Sequence, residues 1–284
     1  MILTPEIFLS ISVLLLLLVG PFIKKNGHII IGYLSIILLV LSQFLIFKNT
    51  FQFKEILNGF FVIDSFGSFM KCLLLIGSSI IIFMYITINK DQNLNKIEFP
   101  ILIVLSVIGM MFMVSANDIL SLFLSMELQS LALYILVSFS RNEINSSEAG
   151  VKYFVIGSIS TCIFLFGASL IYGFFGSTNF LEISKILGQS ANIPLFLIIG
   201  VVFVLVSLSL KLSAAPFHMW TPDVYQGSPT LITALLSVVP KVAAFAVIIR
   251  FLVSPFGEIN VDWGKIIIIL SITSMLIGSF AALF

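Results

Sequence analysis

From Ile193 to Leu210 the sequence runs eighteen residues without a charge, enough for a helix to cross most of a ~30 Å hydrocarbon layer. Runs of this kind recur from end to end, near 5–22, 27–47, 65–88, 98–116, 118–139, 149–175, 193–221, 229–253 and 264–284. Inside a bilayer the backbone finds no water to bond, so segments of this length and composition must be helical. The expected fold class is therefore all-α, a polytopic transmembrane helix bundle of about nine spans. Only 10% of the 284 residues are charged, against about 25% in soluble domains. The first run opens on Glu6, not on a basic segment, and shows no small-residue cleavage site. It reads as a retained helix, not a signal peptide.

A net charge of +1 offers nothing to a nucleic acid or a polyanionic substrate. Cys72 and Cys162 stand alone in apolar runs, with no CxxC and no histidine cluster. No disulfide framework, metal site or iron–sulfur site is expected. No glycine-rich phosphate loop and no nucleophile with its base are present, so bond-making chemistry is not expected either. The fourth and fifth spans are joined only by Asn117 and Asp118 and must be antiparallel neighbours. The connection from 176 to 192, with Glu182 and Lys185, has room for a short surface helix.

Four charges lie within the spans: Lys71, Glu127, Lys211 and Lys241. A lysine or aspartate at a helix centre costs roughly 2.5–3.5 kcal/mol on insertion scales, so each calls for an explanation. Glu127 lies nine residues past Asp118, about 13–14 Å in at ~1.5 Å per residue. Ser130 and Tyr134 follow at i+3 and i+7, giving one polar stripe. A protonated glutamate that only ties helices together is the plainer reading. Lys241 lies twelve residues past Pro229, with Thr233 and Ser237 on its own face. Pro240 frees the carbonyl of Leu236. Those hydroxyls bonding back to their own helix is the plain alternative. Lys211 is followed five residues on by Pro216, so a helix break is expected near there, with protein or water around it. A lysine snorkelling from a helix that ends at Ala215 is the other reading. Lys71, only six residues past Ser65, is shallow enough to snorkel and reads as structural. His218 either relays protons near neutral pH or bonds to backbone at the break. Arg250 and Asp223 read as interfacial.

A buried carboxylate and two buried lysines, each with hydroxyl neighbours, are parts for moving a proton. Burial disfavours a charged lysine and a nearby carboxylate favours it. Driving one charge against ~200 mV takes about 4.6 kcal/mol, within reach of the changes in proton affinity that buried groups undergo. No energy source is visible, so a partner is implied.

The motifs KLSAAPFHMWTPDVYQGSPT, LLSVVPKVAAF and SMELQSLALYILVSF resemble the N-type branch of the antiporter-like proton-pumping subunits of respiratory NADH:quinone oxidoreductase, complex I. They are similar also to mitochondrial NADH dehydrogenase subunit 2. The broader family is shared with multisubunit cation/proton antiporters. The resemblance implies that Glu127, on the fifth helix, pairs with Lys211 on a broken seventh helix. Lys241, on the eighth, would pass the proton along a hydrated axis, with His218 as a possible relay. It further implies a multi-pass chain of the bacterial inner membrane, other complex I membrane subunits as partners, and no cofactor in this chain. FMN, iron–sulfur clusters and quinone would belong to neighbouring subunits, so the chain would be enzymatic only as a subunit. A cation/proton antiporter subunit and a truncated structural subunit that does not pump are the alternatives. The expected organisation is one transmembrane domain over 1–284, with N-terminal helices at about 1–97 and a five-helix repeat at about 98–253. Residues 254–284 would begin a second repeat that is missing, because family members have about fourteen helices.

Overall fold

A computed structural model describes residues 4–23, 26–47, 53–88, 94–189, 193–281 and 283. Among these, nine helices are long and apolar enough to cross a membrane. In chain order the helices are α1 (Thr4–Val19), α2 (Gly27–Phe47), α3 (Ser65–Ile88), α4 (Glu98–Ser115) and α5 (Ile119–Val137). There follow α6 (Ile144–Phe175), the short α7 (Phe180–Gln189), α8 (Leu195–Leu212), the short α9 (Trp220–Gly227), α10 (Thr230–Val253) and α11 (Asn260–Ala281). The nine spans bear out the nine apolar runs, and α7 is the short surface helix expected between 176 and 192. It buries Phe180, Ile183 and Leu187 on one face.

Two boundaries depart from expectation. The sixth helix starts at Ile144 and not near 149, and its 32 residues measure about 48 Å at ~1.5 Å per residue. It outruns the hydrocarbon, and its first turns carry the exposed Glu148 and Lys152. The seventh span does not run on to 221. It stops at Leu212, with Ser213 left-handed at φ 60°, one turn before the proline expected to break it. The reason is steric: the ring of Pro216 takes the space of the carbonyl four residues back, at 212, and disfavours a helical Ala215.

One end of the bundle is tied by a feature the hydropathy pattern hides. A small antiparallel hairpin pairs β1 (Lys54–Ile56) with β2 (Phe61–Ile63). Its turn reaches the α4–α5 connection, where Asn117 Nδ2 donates to the Gly59 carbonyl at 3.0 Å and Asn117 N donates to Phe60 O at 2.9 Å. Asp118 then caps α5, accepting from the backbone of Leu120 at 2.7 Å and Ser121 at 3.2 Å. That cap fixes where α5 starts and therefore how deep Glu127 lies. At the same end Arg250 donates to both oxygens of Asp64, at 2.7 and 2.9 Å.

Helix α4 is the most enclosed of the spans, buried along Ile103, Val104, Val107, Met110 and Met111. It packs antiparallel along α5, as the two-residue connection requires. The approach is closest at Gly109, where a Cβ would meet the Gln129 backbone nitrogen at 2.6 Å. The neighbour is main chain and has little freedom to yield. Gly109→Ala is expected to lower stability by about 1–3 kcal/mol, as overpacking does, read as a fall in thermal midpoint of the detergent-purified protein.

Lys71 does not snorkel. Its Nζ lies 2.5 Å from Glu6 Oε1, with the two side chains 6% and 0% exposed. A buried ion pair thus joins α3 to α1, a correction with a physical basis: a buried carboxylate on another helix holds the ammonium inside the bundle.

Candidate functional site

Helix α5 turns Glu127 and Ser130 toward α6 and α8. Glu127 is half-buried and its Oε1 accepts from the Thr161 hydroxyl of α6 at 2.6 Å. Ser130 donates to the Met126 carbonyl at 2.7 Å, which leaves its oxygen free to accept. Lys211, in the last turn of α8, fills that role: its Nζ donates to Ser130 Oγ at 2.6 Å. Among the described ion pairs Glu127 and Lys211 are not partners. The carboxylate is instead held by a threonine and the ammonium by Ser130, which lies one turn past Glu127 on α5. The next turn of the expected stripe, Tyr134, is buried with its ring edge-on to Tyr153 at 4.9 Å, and Tyr153 stacks on Trp220 at 5.0 Å.

The break after α8 is enclosed by protein on several sides. Ala214 N donates to Ser209 O at 3.0 Å, and Trp220 Nε1 donates to the Leu210 carbonyl at 3.1 Å. Helix α11 supplies both partners for Ala215: Ser274 Oγ accepts from its N–H at 3.0 Å and Thr273 Oγ1 donates to its carbonyl at 2.9 Å. Non-helical backbone at this depth requires such partners. Thr273 and Ser274 lie outside the quoted motifs, and the sequence reading missed them. It also missed Ser160, whose hydroxyl lies 2.9 Å from that of Ser207 and ties α6 to α8 one turn below Lys211. The signal available was the hydroxyl-rich SISTC in the middle of α6. Which of these hydroxyls meets a charge depends on helix rotation, and spacing alone does not set that.

Lys241 stands apart from this pair. Helix α10 continues through Pro240, and the Lys241 ammonium lies 5.6 Å from the centre of the Tyr225 ring, within cation–π range. Burial pushes the Tyr225 hydroxyl above the ordinary tyrosine range. The expected hydroxyl stripe does not feed Lys241. Ser237 bonds back to Ala234 O at 2.9 Å, and Thr233 is engaged with Ser228 at 2.8 Å and with Tyr225 O at 3.1 Å. One flank of Lys241 opens on an apolar groove shared with Met70, Leu73 and Leu212. His218 lies in the turn between α8 and α9, its Nδ1 buried without a hydrogen-bond partner. None of the described bonds joins its ring to Lys211 or Lys241. Asp223, read as interfacial, pairs with Lys152 at 2.7 Å and straps α9 to α6.

The site thus sets a half-buried glutamate near a lysine at a helix break, with a second lysine on the next long helix. Residues 116–284 match the family described as NADH:quinone oxidoreductase/Mrp antiporter, TM. The chain belongs to this family. It is 45% identical over 280 residues to NADH-quinone oxidoreductase subunit N of Pelagibacter ubique, covering 98% of this chain and 59% of that protein. To NADH-quinone oxidoreductase subunit N 1 of Rhizobium meliloti it is 43% identical over 279 residues, covering 98% and 58%. The chain thus spans under two thirds of the length of these relatives. A chain in the structure of respiratory complex I from Thermus thermophilus superposes with a TM-score of 0.74 at 27% identity, covering 87% of this chain and 52% of that one. The polytopic all-α fold of this antiporter family is therefore the fold of this chain.

Proposed function

We propose that this chain is a proton-translocating membrane subunit of a respiratory NADH:quinone oxidoreductase, seated in a bacterial inner membrane among other membrane subunits. The observation that carries the reading is the hydrogen bond from Lys211 to Ser130, one turn from Glu127 and at a helix break within the membrane. An ammonium in that position is expensive to bury and is held by a neutral hydroxyl. Its proton affinity therefore depends on how near the Glu127 carboxylate comes. Glu127 and Lys211 would load the proton and Lys241 would take it onward, with His218 as a relay only if its ring turns from its present place. Redox energy would enter from neighbouring subunits, which would hold FMN, iron–sulfur clusters and quinone.

The division into N-terminal helices (about 1–97), a five-helix unit (about 98–253) and the start of a further unit (about 254–284) is part of this proposal. In its favour, Glu127, Thr161, Ser130, Lys211 and Lys241 all fall within the middle segment.

The family includes antiporters, so one experiment must separate the two transport readings. Inverted membrane vesicles carrying the native complex are expected to acidify inside on addition of NADH and to show no proton movement on a sodium gradient alone. Sodium-dependent proton exchange without NADH would replace the proposal with cation/proton antiport.

A further inference from the structure

A groove away from the polar row lies between α1, α4, α5 and α6, with a volume of about 720 Å³. Its walls are apolar, formed by Leu17, Leu102, Ile135, Val151 and Phe154. Ile135, Val151 and Phe154 are each about half exposed or more, at 52%, 63% and 51%. Its mouth is at the end of the bundle opposite the hairpin, where α5 ends and α4 and α6 begin. Lys96 and Arg141 stand there, both exposed, and neither takes part in a described ion pair. The Lys96 ammonium is held at the rim, 5.4 Å from the centre of the Phe139 ring.

We propose that this groove binds one anionic phospholipid of the surrounding bilayer, an acyl chain along the apolar wall and the phosphate between Lys96 and Arg141. Three features converge on that chemistry. The wall offers mainly alkyl and aromatic contacts, with Tyr134, Ser138 and Ser147 its uncharged polar members, which suits a hydrocarbon tail. The two cations sit at the level of the helix ends, where a lipid phosphate also sits, and basic pockets between membrane helices select anionic head groups. The third feature is the backbone. Helices α4 and α6 both start at this mouth, and neither N-cap residue, Ile97 nor Glu143, supplies a side-chain cap. Their positive ends add to the attraction for a phosphate. Glu98 is the one acidic residue in the lining. Glu143 stands outside the lining, at the start of α6, and both carboxylates lie at helix starts that stabilise them in place, which leaves the Lys96 and Arg141 cations without a described ion pair. The proposal does not rest on proton transport and stands or falls separately from it.

The test is native mass spectrometry of the delipidated protein, titrated with phosphatidylglycerol or with phosphatidylcholine of the same acyl chains. Wild type is expected to take a first phosphatidylglycerol roughly thirtyfold more tightly, about fivefold for each cation. Lys96→Gln with Arg141→Gln should remove the preference while leaving weak binding of both lipids. Val151→Trp, which fills the groove from an exposed position, should weaken both lipids alike. Equal binding of the two lipids by wild type would overturn the proposal, as would a preference that survives loss of both cations. A photo-crosslinking residue at position 151 in native membranes covers the remaining occupant. Adducts of lipid mass support the site, and adducts to another polypeptide show that a partner helix fills it instead.

Discussion

Lys211→Ala is expected to stop NADH-driven proton uptake in native membranes while the chain still folds and assembles. Loss of a positioned proton-transfer group slows its step by about 10²–10⁴-fold, enough to bring uptake to background. Folding should survive because the described structure gives Lys211 no ion-pair partner to orphan. Ser130 keeps its bond to Met126 O, and the hydrogen bond lost with the ammonium at 2.6 Å is offset by no longer burying a charge. Lys211→Arg sharpens the result. A guanidinium preserves the charge and the donor but is protonated at every working pH, so it should fail as a carrier as well. A purely structural subunit predicts otherwise: alanine and arginine would both leave the ratio of protons to electrons unchanged. Normal pumping by either variant would remove Lys211 from the path, and with it the main support for the proposed function.

How much of this was readable beforehand follows from the strength of each signal. Apolar runs of about twenty residues are hard to mistake, and a charge inside one is conspicuous, so the helices and the residues Glu127, Lys211 and Lys241 stand out directly. The partners of those charges do not. Thr161 meets Glu127 from 34 residues away, and nothing in a helix full of serines and threonines marks which hydroxyl will face inward. Tyr225 over Lys241 was missed for the same reason, since the ring belongs to a short helix whose placement depends on the break before it. The break itself is legible from Pro216, and the helix ends one turn before that proline, at Leu212, because the ring displaces the carbonyl four residues back. The hairpin was lost because strands of three residues carry almost no pattern. Lys71 was legible as a charge within a span, yet its pairing with Glu6 across 65 positions was not.

Lys71→Met alone is expected to destabilise the protein by about 3–5 kcal/mol, the cost of leaving a buried charge without its partner. The same holds for a neutral residue opposite an intact Lys71, as in Glu6→Gln. Little else serves this pair. At the other end of α3's approach, Asp64 is 24% exposed, accepts two bonds from Arg250 and a third from Gly67 N at 2.9 Å. Glu6, with a fully buried side chain, has its ion pair with Lys71 and no hydrogen bond to either oxygen. Desolvation of two ions is repaid poorly by one contact, so the pair is vulnerable to loss of either member but not to loss of both. The double variant Glu6→Gln with Lys71→Met should therefore recover most of the stability lost by either single change. Thermal unfolding of the four proteins in one detergent closes the cycle. Additive losses would mean that the two side chains are not coupled, whereas recovery in the double variant would identify the pair as a buried electrostatic tie between α1 and α3 whose charges the fold itself does not require.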